Sequence, residues 1–579
     1  MAERKELPDV EDVVGAGVGL LARGALALVR LLPPPAIAGG ARLLFSKSWR
    51  QFEAACADPR AAQEARLAAI LARNAGTAFG KEHGFDGIRG YDGYRKVPVR
   101  GWTEFAPWVR RMLGGERDVL CAEDVFFYAR SSGTTGEPKS IPVTAGYLEE
   151  FRHPRRVWMR QVAQAMPGLM RGHVLTVHSP SIEGRSQGGV PYGSITVAMG
   201  GAREDPTGFD PVPRRVFKLP DFQARYYTAL RFALQVPVSI MAAINPSTLV
   251  LLCQVLRDRA EELARDLEAG TLWDGARVSD EERALLRPRL RRSPRTARAL
   301  REAMQQRGLV RPVDVWPMLA GALCWKGGSA PFYLEQLAPL LPGLPVMDYG
   351  YAASEGCFTV PMDAGAGQGV AAAAGHVMEL IPWQPYEAGS REAVPLWEAR
   401  QGERYVVVIT GSHGLYRYDM QDVVEVTGFR GKAPVLAFHH KTGNMVSVTG
   451  EKVAESHVVE AVTRACGQVG VRTRGFAVAP ELVNPPRFVL AVEPEAALDP
   501  AAAERLVTAA DGALQDANLE YRAKRESLRL GPMVLRQLPA GAFERHRARR
   551  VAAGAPDAHV KPPHLSRQLS VLDELGRET

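Results

Sequence analysis

Between residues 131 and 144 the chain reads SSGTTGEPKSIPVT, which gathers serine and threonine hydroxyls, two glycines and a lysine. Hydroxyls and backbone N–H groups donate to phosphate oxygens, and glycine lets the backbone come close. Lys139 adds a point charge. The spacing is not that of the common phosphate loop, because two residues separate Gly133 from Gly136 and Lys139 follows Pro138. The stretch predicts a grip on the phosphates of ATP, unlike that of a Walker-type NTPase. A Gly/Ser turn with no ligand is the plainer alternative.

Two more segments could complete such a site. In YGYAASEG, 349–356, Tyr351 could stack on a flat base and Ser354 could donate to phosphate. Glu355 is a hard oxygen ligand, and Mg²⁺ usually takes only one or two carboxylates beside substrate oxygens. In GLYRYDMQDVVEVTGF, 414–429, Asp422 lies in a β-rich stretch beside tyrosines and could accept both hydroxyls of a ribose. Taken singly, a strand-to-turn with a surface glutamate and an aspartate in a tight turn explain these as well.

In this order and at these separations, the three segments resemble the acyl-adenylate-forming superfamily that includes firefly luciferase and the acyl-CoA synthetases. More narrowly, the YxxSEG form, the GLYRY run and GEKVAESHVVEAV resemble the plant auxin-responsive acyl acid–amido synthetases and their bacterial relatives. The likeness runs from TAFGKEHGF (77–85) onward, through KVPVRGWTEFAPWVRRMLGGE, INPSTLV and WPMLAG. The resemblance implies that Ser131, Ser132, Gly133, Thr134, Thr135, Gly136 and Lys139 form the phosphate loop. It implies that Tyr351, Ala353, Ser354 and Glu355 hold adenine, phosphate and metal, and that Asp422 binds ribose. Lys441 falls where the family often carries a basic hinge residue, commonly arginine, whose fork geometry lysine cannot reproduce. No late Gly-Lys pair is present, so Lys561 in HVKPPHL stands as the candidate catalytic lysine, with a surface lysine as its alternative. The family usually has glycine before the ribose-binding aspartate; here it is Gln421, which would be strained if that position needs positive φ.

The resemblance implies an α/β fold: a large N-terminal adenylate-forming domain with mixed or parallel sheets and a barrel-like part, then a small mobile α+β domain. The expected division is an apolar helical segment over 1–45, an adenylation domain over 46–433 and a mobile domain over 434–579. The Gly/Lys/Pro stretch GFRGKAP, 428–434, is the candidate hinge. At 579 residues the chain suits roughly two to four domains on a prior of about 150 residues each. Strand–helix–strand order before residue 350 argues a mostly parallel sheet. The segment 49–85 reads as one helical run ended by Gly76 and Gly80, and 95–108 as a loop. The runs YVVVIT, LYRYD, VVEVTGF and VLAFHH read as separate short strands, with a helix beginning at Glu451. Loop 178–196 is the place to look for an acyl pocket.

Composition narrows the partners. Charged residues at 23% and hydrophobic residues at 46% are ordinary for a soluble globular protein, and a net charge of +8 favours anionic ligands without implying nucleic acid. The arginine-dense run 283–311 lacks the stacking aromatics that single-strand binding uses, so it reads as a solvated helix face. Six scattered cysteines form no CxxC pair and fit a reducing cytoplasm. Five acids in the first twelve residues argue against a secretory leader. The apolar stretch 13–45 has a first run too short to span a bilayer, and fits a helix packed on the body or lying on a membrane as a peripheral contact.

The reading is an ATP- and Mg²⁺-dependent ligase that activates a carboxylic acid as an acyl-adenylate and transfers it to an amine, an amino acid being the expected acceptor. Positioning and cations would supply the acceleration, through Lys139, Glu355 and Lys561. An acyl-CoA ligase or carrier-protein loader shares the first half-reaction. A non-catalytic nucleotide-binding or membrane-surface protein is the rival of a different class.

Overall fold

Short apolar runs bounded by turn residues form the parallel sheet of the computed structural model. The structure describes residues 29–130, 139–177, 182–201, 208–219, 221–328, 330–365, 367–442, 445–446, 448, 451, 453–483, 485–526, 530–553, 560 and 563–577. Strands His173–Thr176, Val238–Ala242, Gly321–Cys324 and Val346–Asp348 lie side by side in chain order, each neighbouring pair parallel. Val238–Ala242 is buried along its whole length, as a strand covered on both faces must be. Helix Pro246–Asp258 follows it, started by Asn245 with proline in its first turn. Helix Ala330–Leu337 leads into the last strand. This is the α/β layer that strand–helix–strand order predicts.

The later half of the large unit is antiparallel. Seven strands run in the spatial order Thr359–Val360, Gln368–Ala371, Ala433–Lys441, Tyr418–Arg430, Arg404–Thr410, Val377–Pro382 and Val394–Pro395. The part expected to be barrel-like is this sheet, which among the described residues runs between two edge strands. Its longest strand joins what the sequence splits into two: Leu415 to Arg417 lie in the preceding turn, and one strand runs from Tyr418 to Arg430 with register shifts at Val423/Val424 and Val426/Gly428. GFRGKAP is the reversal between this strand and the next, and pairing continues to Asp422↔Lys441.

A smaller sheet carries the first motif. Phe127–Arg130 pairs antiparallel with Ser140–Val143, and Arg130 sits opposite Ser140. The connection 131–138 lies outside the described residues. Beyond residue 453, helices Glu455–Val469 and Pro500–Ala517 pack with strands Thr473–Glu481, Arg487–Pro494 and Val534–Gln537. This α+β unit shares one core with the helices of the parallel sheet, since Phe476, Leu490 and Leu514 join Tyr226, Leu249 and Tyr333.

Local chemistry corrects four readings. The run 49–85 is broken at Asp58-Pro59, where the Asp58 carboxylate accepts from Ala61 N at 3.1 Å and Pro59 starts a new helix, Pro59–Asn74. Gly80 lies inside the short helix Ala78–Glu82 rather than ending one; a Cβ there would stand 2.1 Å from the Asn74 carbonyl oxygen. Residues 102–108 belong to helix Trp102–Leu113, because Glu104 reaches back to the Gly101 N–H at 2.8 Å and caps it. The last helix of the GEKV motif starts at Glu455, after Val453–Ala454 pairs with Met445–Val446.

One buried ion pair fixes the strand that will carry the site. Arg417 donates to Glu379 at 2.8 Å, with side chains 5% and 1% exposed. The guanidinium also donates to the Arg95 and Val97 carbonyls, and Tyr91 donates to Glu379 at 2.8 Å. Glu379→Ala leaves that guanidinium buried without its counter-charge and is expected to cost about 3–5 kcal/mol. Denaturant unfolding monitored by tryptophan fluorescence measures it; a loss well under 1 kcal/mol refutes the role given to this pair.

Candidate active site

Glu355 stands at a hairpin tip. Ala352–Ala353 pairs with Gly356–Cys357, so Ser354 and Glu355 make the two-residue turn. Gly356 is required there, because a Cβ would meet His376 Nε2 at 2.5 Å and the Phe358 ring at 2.6 Å. Gly350, at φ +80°, turns the chain from the end of the parallel sheet into this hairpin. Glu355 is only 6% exposed. Among the described residues its carboxylate has no hydrogen-bonding side chain.

Asp422 comes from the other sheet. It is 2% exposed, and both its oxygens are held: Tyr351 donates to Oδ2 at 2.7 Å and Lys441 Nζ to Oδ1 at 2.6 Å. Lys441 also donates to the Met420 carbonyl at 3.2 Å. Tyr351, expected to offer its ring to a base, packs that ring against Phe358 and Phe438 at 4.8 and 5.7 Å. Burial makes it a clamp on the Asp422 carboxylate rather than an open stacking platform. Ahead of Asp422, Gln421 has φ +57°, the left-handed backbone in which glycine is at ease, and its N–H donates to Asp419 Oδ1 at 2.8 Å.

Lys139, at the far end of the first loop, reaches the same strand. Its Nζ donates to the Tyr418 hydroxyl at 2.8 Å. Burial lowers its ammonium below the usual lysine range, opposed by the Glu355 and Asp422 carboxylates and reinforced by Lys441. For Lys441 burial pulls the same way, but Asp422 and Glu355 outweigh it and raise the group. Tyr418 is pushed well up by burial, then by Glu355, Asp422 and Asp419. Lys139, Glu355, Asp422 and Lys441 therefore share one field, although they belong to three distant stretches of chain. Ser131, Ser132, Gly133, Thr134, Thr135 and Gly136 lie outside the described residues; Arg130 and Lys139 are the described residues on either side, at the end of the strand pair where Arg130 sits opposite Ser140.

Sequence reasoning missed the layer beneath. Tyr147, fully buried on the long helix Ala145–Ala165, donates to the Ser354 carbonyl at 2.6 Å and so pins the turn that bears Glu355. One turn on, Glu150 contacts Arg66, accepts from Ser412 N at 3.0 Å and lies 3.0 Å from His376 Nδ1. Burial alone would raise Glu150, but His376 and Arg66 hold its carboxyl at about 2. Burial, with His376 nearby, drives His413 down to about 3, so its ring is neutral. In the sequence Glu150 is one of two adjacent glutamates followed by Phe151 and Arg152, which gives no hint of partners at His376 and Ser412.

Lys561 lies outside the described residues. Described residues that follow it in the chain are held to the C-terminal sheet: Val478 N donates to the His564 carbonyl at 2.9 Å and Ser566 N to the Val478 carbonyl at 2.8 Å. The His564 ring lies 4.4 Å from Phe476 and 5.8 Å from Tyr333, on the helix that precedes Val346–Asp348. The arginine run lies elsewhere. Arg301 pairs with Glu261 at 3.0 Å and with Glu268, as a solvated helix face would.

Three family models match the chain. The GH3 family N-terminal domain covers residues 48–346, the GH3 family central domain 369–441 and the GH3 family C-terminal domain 456–570. The probable indole-3-acetic acid-amido synthetase GH3.1 of Arabidopsis thaliana is 26% identical over 557 residues, covering 92% of each chain. Indole-3-acetic acid-amido synthetase GH3.8 of Oryza sativa subsp. indica is 28% identical over 70% of each. The solved AtGH3.15 acyl acid amido synthetase in complex with 2,4-DB superposes with a TM-score of 0.78 at 20% identity, over 92% of this chain and 95% of that one. That likeness shows the fold.

The strain at Gln421 is measurable. Left-handed backbone costs a residue with a side chain roughly 1–2 kcal/mol, and glycine gives back about 0.5–1 kcal/mol in chain entropy. Gln421→Gly is thus expected to stabilise the protein by about 0.5–1 kcal/mol, where most glycine substitutions in strands destabilise. A lowered unfolding midpoint would contradict this.

Proposed function

The chain belongs to the GH3 family, and from that premise we propose that it is an ATP-dependent acyl acid–amido synthetase, joining a carboxylic acid to an amino acid. One observation carries the reading: Lys139 and Lys441 share one electrostatic site with the buried carboxylates of Glu355 and Asp422, the four coming from three separated segments. A carboxylate is a poor electrophile because its leaving group would be oxide. Its oxygen attacks the α-phosphorus of ATP, the bond to the β-phosphate bridge breaks, and pyrophosphate leaves with the electron pair. The resulting mixed anhydride has AMP as a good leaving group. The amine then attacks the acyl carbon, AMP departs, and the ammonium proton goes to solvent.

In this reading Asp422 accepts from the ribose hydroxyls, held in place by Tyr351 and Lys441. Lys139 lies against the phosphates with the hydroxyls and N–H groups of 131–136. The chemistry of the donor set fits Mg²⁺ at Glu355, a buried carboxylate without a hydrogen-bonding side chain among the described residues. A metal needing three protein ligands does not fit, since no cluster of three such side chains occurs among those residues. Mg²⁺ would neutralise charge on the phosphate oxygens. The smaller C-terminal unit, with Lys561, is the proposed mobile part; because 428–434 is a reversal between paired strands, its hinge is proposed after Thr442, whose N–H still donates to the Gln421 carbonyl at 2.8 Å.

Three measurements test this. Crossing carboxylic acids with amino acids and with CoA should give AMP and pyrophosphate only when an acid is present, with an amide as product. ADP as sole nucleotide product rejects the proposal, and release that needs CoA makes the protein a thioester ligase. Asp422→Ala should raise the KM for ATP at least ~tenfold, since a lost hydrogen-bonded charge costs about 1.5–3 kcal/mol; an unchanged KM removes Asp422 from the site. Lys139 must be charged to face phosphate, and burial lowers its proton affinity from the ordinary 10.5. Its charge is present at low pH and lost as pH rises, so kcat/KM for ATP should fall on the alkaline side before pH 10.5. Lys139→Arg should move that limb upward, and a limb that stays put assigns it to another group.

A further inference from the structure

Helix Pro34–Leu44 has a face that the proposed reaction does not use. Its inner side is settled: Ile37 is buried, and Ala41 packs into the cluster containing Val157, Trp158 and Val162 of the long helix. Its outer side repeats at helical spacing, with Ala36, Gly40, Leu43 and Leu44 all exposed. Leu43 is 78% exposed and Leu44 75%, and just before the helix Leu31 is 82% and Leu32 43% exposed. Four of the eleven exposed large apolar side chains among the described residues thus fall within one short stretch.

The charge carried by this stretch of chain has one sign. From residue 13 to residue 52 the chain contains no aspartate or glutamate. Arg42, Lys47 and Arg50 are exposed beside the leucines. The first acid, Glu53, is paired with Arg430 at 2.9 Å. No helix among the described residues is long and apolar enough to cross a membrane.

We propose that this face docks on an anionic lipid bilayer surface. Leu31, Leu32, Leu43 and Leu44 enter the headgroup–acyl boundary, and Arg42, Lys47 and Arg50 meet the lipid phosphates. A second copy of the chain fits less well, since a two-fold contact through this patch sets like cations against each other with no acid between them.

The test is co-flotation of the full-length protein with vesicles of phosphatidylcholine alone or mixed with phosphatidylglycerol, at low and high salt. Flotation with the anionic vesicles, weakened by salt and absent with phosphatidylcholine alone, is expected. Leu43→Asp with Leu44→Asp, and separately Arg42→Glu with Lys47→Glu, should each cut it at least ~tenfold while AMP release and circular dichroism stay unchanged. Absence of flotation overturns the proposal, as does flotation that both double variants retain. A leucine variant that only converts dimer to monomer in light scattering overturns it in favour of a second copy. AMP release is read separately, so failure here leaves the ligase reading standing, and the reverse.

Discussion

The carboxylate of Asp422 is the point on which the site depends. It lies in the interior, where a bare charge is costly, and it is tolerated because a phenol and an ammonium hold one oxygen each. Those two donors come from different layers. Tyr351 arrives from the end of the parallel sheet and Lys441 from the strand paired beside Asp422. The same contact that satisfies the charge therefore ties the two sheets at their junction, and sets Glu355 and Lys139 at fixed places around it.

Further pairs support that junction on either side. Arg417 and Glu379 hold the start of the Asp422 strand against the N-terminal helices, while Glu150, Arg66, His376 and Ser412 fill the space beneath the Glu355 turn. Each sets an almost fully buried carboxylate against a cation, and each ties a turn to a helix or strand distant in the chain. Tyr147 carries the effect across, since its hydroxyl holds the Ser354 carbonyl while its ring lies 4.8 Å from His413. Rigid placement of this kind suits a reaction in which position and charge, rather than covalent catalysis, lower the barrier.

Backbone strain falls at two residues of this arrangement, Arg417 at φ +49° and Gln421 at φ +57°. Gln421 takes a left-handed backbone that glycine would occupy more easily, and the Asp419 carboxylate steadies it through the Gln421 N–H. Asp419 is in turn bound by the Tyr386 hydroxyl at 2.8 Å, and burial raises its carboxyl above the usual range. Gln421 lies inside the strand, where the register with Arg404–Thr410 shifts, and the next residue, Asp422, is held by Tyr351. A local backbone cost thus accompanies a buried carboxylate in the required direction.

Much was legible in the chain itself. The parallel layer follows from Val238–Ala242 and its neighbours, whose short apolar runs admit few other structures. The strands flanking the glycine loop could be read from residue type and spacing, whereas the choice of Glu355 and Asp422 and the question of positive φ at Gln421 came only with the family resemblance. The break at Asp58-Pro59 and the Glu104 cap were written there too, as local signals that a longer pattern hid. What residue order could not disclose is any relation across hundreds of positions: that Tyr351 clamps rather than stacks, that Lys139 meets Tyr418, that Glu150 lies against His376 and Ser412. Local pattern is set by neighbours within a turn or two, which the chain spells out. Partnership between buried charges is set by how sheets and helices close on one another, and only the folded molecule decides that.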